Sequence, residues 1–206
     1  MSFTNTRDRI AATAFLADSQ QSGMAHVPFL MAIDEMGGQL PCLQELWEAS
    51  SASEFEAVIT AKGEHCWSRA ASLRDCMGAL MRDTWPTLDQ FPLTHVSMLD
   101  LQLFMFAFQI MLGAARATCL LETSAPAILR ALDRWQELWR ATVGQMDSEQ
   151  LRMSGFVRHT EEFCWLARKL IEYSLSGRDQ TSPFFQGSGH ESLKELHDLL
   201  RELREG

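Results

Sequence analysis

Several of the signatures on which functional inference most often relies are missing from this chain of 206 residues. It has no glycine-rich phosphate loop of the Walker or dinucleotide type and no GxSxG nucleophile elbow. None of its six histidines follows a glutamate by three residues, as helical carboxylate-bridged metal sites require, and no aspartate cluster could hold magnesium against a diphosphate. The sequence therefore predicts no metal site and no cofactor.

Cysteine pairs and export signals are missing as well. The cysteines stand at 42, 66, 76, 119 and 164, with no CxxC motif, and an odd, scattered set is typical of reduced thiols. The N-terminus has no basic region followed by an apolar segment. The longest uncharged stretch, 101–115, is shorter than the roughly twenty residues of a membrane span. These features predict an intracellular protein, cytoplasmic or nuclear.

Basic residues are too few and too dispersed to bind polyanions. The formal net charge is -9, and no segment concentrates lysine and arginine into a stripe. Such a chain repels phosphate backbones and anionic lipid surfaces, so we expect neither a nucleic-acid nor a membrane partner. Hydrophobic residues make up 46% and charged residues 22%, which is ordinary globular composition and predicts one folded domain over residues 1–206.

What the chain does contain is helical periodicity throughout. The pattern predicts an all-α fold, a single irregular helical bundle. The segment 93–118 is apolar nearly all round, which places it at the centre of the bundle. Ile10, Ala14 and Ala17 share one side of the first helix. The predicted helices are 6–20, a helix capped by Ser51 or Ser53 that ends at 59, 67–82, 93–118, 125–143, 148–175 and 190–205.

Four polar residues recur every seven positions along the central helix: His95, Gln102, Gln109 and Arg116. On an α-helix this spacing keeps them on one slowly drifting stripe. A buried amide without a partner costs about 1–3 kcal/mol, so these groups need hydrogen bonds. The stripe either faces solvent or neighbouring helices, or forms the polar side of an apolar pocket that orients a ligand.

His159 is a second candidate for chemistry. It shares one predicted helical face with Phe156 and Phe163, so its imidazole should point toward the core. Glu162 lies one turn further and could fix the imidazole tautomer or raise its pKa, as a general acid–base pair requires. The alternative is a structural histidine with its hydrogen bonds satisfied.

Aromatic residues mark a third candidate site. Trp135, Leu138 and Trp139 form one edge of the helix over 125–143, and Phe106 lies among the aromatics and methionines of the central helix. Such stripes are core in most proteins. They could instead form the wall of a cavity for an irregular apolar ligand, to which aromatic rings and methionines adapt well.

A series of short, aromatic-rich motifs runs in a fixed order along some 160 residues. In chain order they are Arg9, Phe15, Asp18, Pro28, Glu35, Leu40-Pro41-Cys42, Leu46-Trp47-Glu48-Ala49, Pro92-Leu93-Thr94-His95-Val96, Ser154-Gly155-Phe156-Val157-Arg158-His159, Glu162-Phe163 and Trp165-Leu166-Ala167-Arg168. This order and spacing resembles the latter part of the regulatory (middle homology) domain of fungal-specific transcription factors.

The resemblance implies a helical domain that senses signals or holds a regulator silent and catalyses nothing. Five scattered cysteines cannot form a six-cysteine zinc cluster, so we expect the DNA-binding module of that family to be absent. We also expect the helices that precede the Arg9 region in the family to be missing. Apolar faces would then need a new cover, either a homodimer or a ligand cavity.

Two functions follow from these patterns. The first is a binding module for a hydrophobic small molecule or a protein partner. The second is a cofactor-independent enzyme of fungal secondary metabolism, a cyclase, pericyclase or isomerase for a hydrophobic polyketide or terpenoid. Such chemistry needs mainly a preorganised cavity and one or two hydrogen-bond donors. Its candidate catalytic residues are His95, His159 and Glu162, and its candidate ligand-binding residues are Gln102, Phe106, Gln109, Arg116 and Trp135.

Overall fold

The chain folds as an all-α bundle around one apolar helix, as the sequence predicts. The computed structural model describes residues 3–25, 29–63, 66, 69, 71–85, 87–186 and 192–205. Within these residues no strand forms, and the β-type pairing is a single bridge between Gln39 and Ser72. The helices are α1 (Phe3–Ala25), α2 (Gln44–Glu48), α3 (Ala52–Lys62), α4 (Leu73–Met81), α5 (Met98–Ala117), α6 (Leu121–Val143), α7 (Ser148–Met153), α8 (Thr160–Leu175), α9 (Pro183–Gln186) and α10 (Ser192–Glu205).

Helix α5 is the centre of the bundle, and α1, α4, α6 and α8 pack around it. Its first turn is fixed by a capping box. The Ser97 hydroxyl accepts from the Asp100 backbone N–H at 3.2 Å, and an Asp100 carboxylate oxygen accepts from the Ser97 backbone N–H at 2.7 Å. The reciprocal bonds satisfy donors at the helix N-terminus, so α5 begins at Met98 and not at the predicted residue 93.

The length of α5 invites comparison with a membrane span. Met98–Ala117 is 20 residues long and is apolar enough to cross a membrane by length and composition. However, 67% of that window is buried inside the protein, against the surrounding helices. The core helix of a soluble protein passes the same test, so the segment is weak evidence for a membrane span.

Asp100 also receives a buried ion pair. Nη2 of Arg69 lies 2.7 Å from its carboxylate oxygen, and the two side chains are 3% and 1% exposed. The same guanidinium donates to the main-chain oxygens of Pro41 at 3.4 Å and of His95 at 3.0 Å. Arg69 therefore joins the start of α5 to the segment that leads into α2.

A second buried arginine, Arg134 of α6, completes the end of α4. Its Nη1 donates to the Leu80 carbonyl at 2.6 Å and also to the Arg82 carbonyl. Its guanidinium carbon lies 5.3 Å from the centre of the Trp85 ring. The last carbonyls of a helix have no partner within the helix, so a cation at this position stabilises the α4 terminus.

The predicted helix over 148–175 is wrong in one respect, because the structure divides it. Helix α7 ends at Met153, a 3-10 helix covers Gly155–His159, and α8 begins at Thr160. Gly155 has a φ of +62°, in the left-handed region that interrupts a right-handed helix and that glycine adopts without strain. The break separates α7 from α8.

Two satellite clusters complete the fold. Cys42, Leu43, Leu46 and Cys66 form one beneath α2 and α3. The other holds α10 against α8 and α9 through Tyr173, Phe184, Leu199 and Leu203. The segment 177–189, predicted as a loop, includes the short helix α9. The helix predicted over 67–82 starts too early, because the Ser72 capping box begins α4 at Leu73. The predicted helix start at 190 lies outside the described residues.

We expect Asp100→Ala to lower the free energy of unfolding by about 3–5 kcal/mol, because it leaves Arg69 charged and buried without its partner. Asp75→Ala is the matched control. Asp75 occupies the same place in the capping box of α4 but is exposed, so its loss should cost about 1 kcal/mol. Urea denaturation of both variants measures the difference, and equal losses would contradict a special contribution from the buried pair.

Candidate functional site

The polar stripe predicted on the central helix is shorter than the sequence suggests. His95 lies before the Ser97 cap, outside α5, and is exposed. Its main-chain oxygen accepts a hydrogen bond from the buried guanidinium of Arg69. The expectation that His95 continues the stripe is therefore wrong, and the physical reason is the capping box that starts the helix three residues later.

Gln102 and Gln109 lie on α5 as expected. Gln102 is 6% exposed, and Gln109 is half-buried. Among the described residues neither amide has a side-chain hydrogen bond. No amide atom of either residue is among the fully buried side-chain polar atoms that lack a partner in the described part of the chain, so the stripe holds no desolvated, unpaired amide there.

Arg116, at the end of α5, is tied to the segment that follows α8. Its Nη2 lies 3.3 Å from a carboxylate oxygen of Asp179, and its guanidinium carbon lies 3.7 Å from the centre of the Phe185 ring. Burial lowers the pKa of the Arg116 guanidinium, and the Asp179 carboxylate opposes that effect. These contacts give Arg116 a structural role in fastening the α9 segment to the bundle.

Trp135 and Phe106 fill the interior rather than line a shared cavity. Trp135 is fully buried, its Nε1 donates to the Leu101 carbonyl at 2.9 Å, and it stacks on Trp139 with ring centres 5.3 Å apart. Phe106 is 3% exposed and packs against Phe163 of α8 at 5.9 Å. The space between α5, α6 and α8, where the predicted apolar cavity would lie, is occupied by these side chains.

His159 and Glu162 do come together, with Nδ1 of the imidazole 3.0 Å from a carboxylate oxygen. Their side chains are 41% and 77% exposed, so the expectation that this imidazole points toward the core is wrong. The reason is the break at Gly155, which places His159 at the end of the 3-10 helix and not on the face of α8.

The two ring nitrogens of His159 are both engaged. Nε of Arg158 donates to Nε2 at 3.1 Å, while Nδ1 faces Glu162. Because Nε of Arg158 can only donate, Nε2 of the imidazole is the acceptor in that contact. A general base needs a free nitrogen lone pair directed at a substrate, and here the adjacent arginine occupies it. The catalytic roles of His159 and Glu162 stay predictions.

A chain of aromatic rings links two of the candidate residues. Phe106 contacts Phe163 at 5.9 Å, Phe163 contacts Phe156 at 5.7 Å, and Phe156 contacts the His159 ring at 6.3 Å. The structure therefore brings Phe106 and His159 to the two ends of one aromatic row. Trp135 lies on α6 and donates a hydrogen bond to a backbone carbonyl of α5, and Arg116 contacts the α9 segment. Neither side chain belongs to this row.

The sequence reasoning missed an open groove on the outer side of α1, with a volume of about 450 Å³. Ile10 in this groove is 64% exposed. The core side of α1 carries Ala12 and Phe15, at 1% and 0% exposure, so the side with Ile10, Ala14 and Ala17 faces outward. The groove is lined by Thr6, Arg9, Ile10, Thr13, Ala14, Ala17 and Trp47.

One rim of the groove carries a cation stacked on an aromatic ring. The Arg9 guanidinium carbon lies 4.4 Å from the centre of the Trp47 ring, and its Nη2 donates to the Gln44 side chain. Burial lowers the pKa of Arg9, while Cys42 and Glu48 oppose the shift. Arg9 is the charged residue of the groove lining, and it is held in place by α2.

Thiol and metal chemistry have little support in the described part of the chain. No group of three histidine, cysteine, aspartate or glutamate side chains there could hold a metal ion. Burial raises the pKa of the Cys42, Cys66, Cys76 and Cys164 thiols, which disfavours the reactive thiolate. Cys119 is the exposed cysteine.

Comparison with known proteins identifies no relative. No protein-family model, no curated protein and no solved structure matches the chain. The resemblance to fungal transcription-factor regulatory domains therefore stays a prediction.

We expect Gln102→Met to raise the free energy of unfolding by about 1 kcal/mol, since it replaces the polar side chain of a 6% exposed position on an apolar helix with an apolar side chain of similar volume. Gln109→Met, at a half-buried position, should change it by less than about 0.5 kcal/mol. Chemical denaturation without added ligand is the measurement. A loss of stability in Gln102→Met would show that the amide has a partner in the native protein.

We also expect one cysteine to react with a thiol reagent in the native protein and five to react after denaturation. Burial and a raised pKa should protect the other four. Mass spectrometry of the alkylated protein counts the modified thiols. Cys119→Ser, the control, should abolish the fast reaction, and persistent labelling would reveal access to a buried thiol.

Proposed function

We propose that this chain is a helical protein-binding module, and that the groove along α1 docks a helix of its partner. The observation that carries the proposal is the apolar outward face of α1, with Ile10 64% exposed beside Ala14, Ala17 and Trp47. An exposed apolar surface bordered by polar residues is typical of an interaction site.

The composition of α1 supports this interpretation. The final helix, α10, directs its leucines at Tyr173 and Phe184 and leaves charged residues outside, as a helix with one buried face does. Helix α1 has apolar residues on both sides: Ala12 and Phe15 in the core, and Ile10 and Ala14 outside. Apolar residues on two opposite sides of a helix are typical of a helix that is covered on both of those sides.

The shape of the groove fits a helical occupant. Its α1 residues are Thr6, Arg9, Ile10, Thr13, Ala14 and Ala17, which follow the spacing of a straight helical stripe. From first to last they extend over about 16 Å, or three helical turns. Small side chains along such a stripe let a second helix approach closely.

The rim provides the anchoring chemistry that protein interfaces commonly use. Tryptophan and arginine are enriched among the residues that dominate interface binding energy. Trp47 is half-buried and already stacked against Arg9, so both side chains are ordered before a partner arrives. Ordering before binding lowers the entropic cost of association.

A protein partner is better supported than the two alternatives. A small apolar ligand or a polyketide-type substrate needs an enclosed cavity, and Phe106 and Trp135 occupy the interior where it was expected. The His159 imidazole is engaged at both nitrogens. The likeness to a transcription-factor regulatory domain agrees with a non-catalytic binding role, and we retain that origin as part of the proposal.

We expect Ile10→Glu to abolish partner capture, because it places a carboxylate in the apolar seam of the groove. The tagged wild-type protein and the variant are incubated with native extract, and enriched proteins are quantified by mass spectrometry. Any enriched protein is then purified and its dissociation constant measured by titration calorimetry. The variant should weaken that binding by roughly tenfold or more.

Leu120→Glu is the matched control. Leu120 is 57% exposed and lies between α5 and α6, so the substitution adds the same charge to another exposed apolar position. It should leave capture unchanged. A partner that Ile10→Glu and the wild type bind equally well would refute the α1 groove as the docking site.

A further inference from the structure

We propose that the helix seated in the α1 groove is α1 of a second copy of this chain, antiparallel and related by a two-fold axis. The inference rests on the proposed function, in which this groove docks a protein helix. Two features of α1 support a second copy: the order of large and small side chains, and the placement of opposite charges along one edge of the groove.

The side chains of the groove stripe are self-complementary in size. Ile10, the bulky residue, stands toward the start of the stripe, and Ala14 stands four residues later. In an antiparallel pair centred near residue 12, Ile10 of each copy lies over Ala14 of the other. A large residue then packs on a small one twice, as a two-fold interface requires.

The charged residues of α1 indicate the same antiparallel register as the side-chain sizes. Arg7 and Asp18 are eleven residues apart, which is close to three helical turns, so both lie along the same edge of the stripe. Like edges face each other in an antiparallel two-fold pair. Arg7 of each copy therefore approaches Asp18 of the other, and this pairing is also centred near residue 12.

A parallel pair is disfavoured by the same residues. In a parallel pair, the edge of the stripe that carries Arg7 in one copy would lie beside the edge that carries Arg9 in the other. Arg7 of one copy would then approach Arg9 of the other. Both are cations, and their repulsion opposes that arrangement. The charged residues of α1 therefore favour the antiparallel pair over the parallel pair.

Asp18 is held in place before association. Its carboxylate oxygens accept from the backbone N–H of Leu30, at 3.2 and 2.9 Å, and one of them accepts from that of Met31 at 3.0 Å. Arg7 is exposed, and the charge it interacts with on its own helix is that of the adjacent Asp8. A fixed carboxylate facing a long cationic side chain favours pairing, because only one of the two side chains must become ordered.

The first experiment measures the mass of the purified full-length chain by sedimentation equilibrium over a range of concentrations. We expect a concentration-dependent dimer for the wild type. Ile10→Glu and Arg7→Glu should each raise the dimer dissociation constant by roughly tenfold or more, because each change occurs twice in a two-fold dimer. Arg7→Lys should retain the dimer.

Two control variants carry the same changes elsewhere. Leu120→Glu adds a carboxylate at a 57% exposed apolar position, and Arg152→Glu reverses a charge on a 69% exposed side chain of α7. Both should dimerise like the wild type. Circular dichroism confirms that Ile10→Glu and Arg7→Glu are folded, which is expected because both side chains are exposed.

The second experiment tests the register with a zero-length carbodiimide crosslinker on the Arg7→Lys variant. We expect an amide between position 7 and Asp18. Within one helix these positions are about 16 Å apart, so the crosslink can form only between copies. A mixture of isotopically labelled and unlabelled chains identifies it as intermolecular by mass spectrometry.

Each other outcome overturns the inference. A wild-type chain that stays monomeric at all concentrations excludes the dimer. If a different protein is still captured in an Ile10-dependent manner, the proposed function stands without the second copy. A dimer that both Ile10→Glu and Arg7→Glu leave intact places the interface elsewhere, and a dimer without the crosslink from position 7 to Asp18 excludes the antiparallel register.

Discussion

The buried ion pair between Arg69 and Asp100 is the constraint on which the rest of the structure depends. Asp100 closes the capping box with Ser97 and so determines where the central helix begins. Arg69 extends from that point to the main-chain oxygens of Pro41 and His95. One guanidinium thus fixes the start of α5 and the course of the chain into α2, where Trp47 forms the rim of the groove. Loss of the pair would disturb the proposed docking surface from a distance.

A buried pair of this kind contributes little net stability compared with the cost of removing one of its partners. Removing two charges from water costs about as much as their attraction returns, unless further hydrogen bonds satisfy the remaining atoms. Here Ser97 supplies two donors to the Asp100 carboxylate, and two carbonyls accept from the guanidinium. Alternative packings of the loops around α5 would leave one charge unpaired, which makes them unfavourable. The geometry of the groove rim follows from this selection.

Composition and periodicity are enough to predict the all-α bundle and its central helix. A helix that is apolar on all sides is favourable where other helices cover it. The contact between His159 and Glu162 is also predictable, since residues three apart are neighbours on helical backbone. The break at Gly155 is not, because a glycine inside a helical pattern does not reveal its φ. The role of Arg69 is not predictable from the sequence, because its partner, Asp100, is 31 residues away. The outward face of α1 was visible as a stripe, but a helix with apolar residues on both sides does not show which side is buried.

The net negative charge of the chain affects whether an exposed apolar surface, the outward face of α1, leads to nonspecific association. A net charge of -9 makes copies of the protein repel one another in most orientations, which limits nonspecific association of exposed apolar residues. The outward face of α1 carries Arg7 and Arg9 near one end and Asp18 near the other, so its local charge differs from that of the whole. In the proposed dimer, the favoured partner is a helix that presents the opposite order of charges along an apolar stripe. The proposed dimer would owe its specificity to two effects: repulsion between the acidic surfaces of two copies, and charge complementarity along their α1 helices.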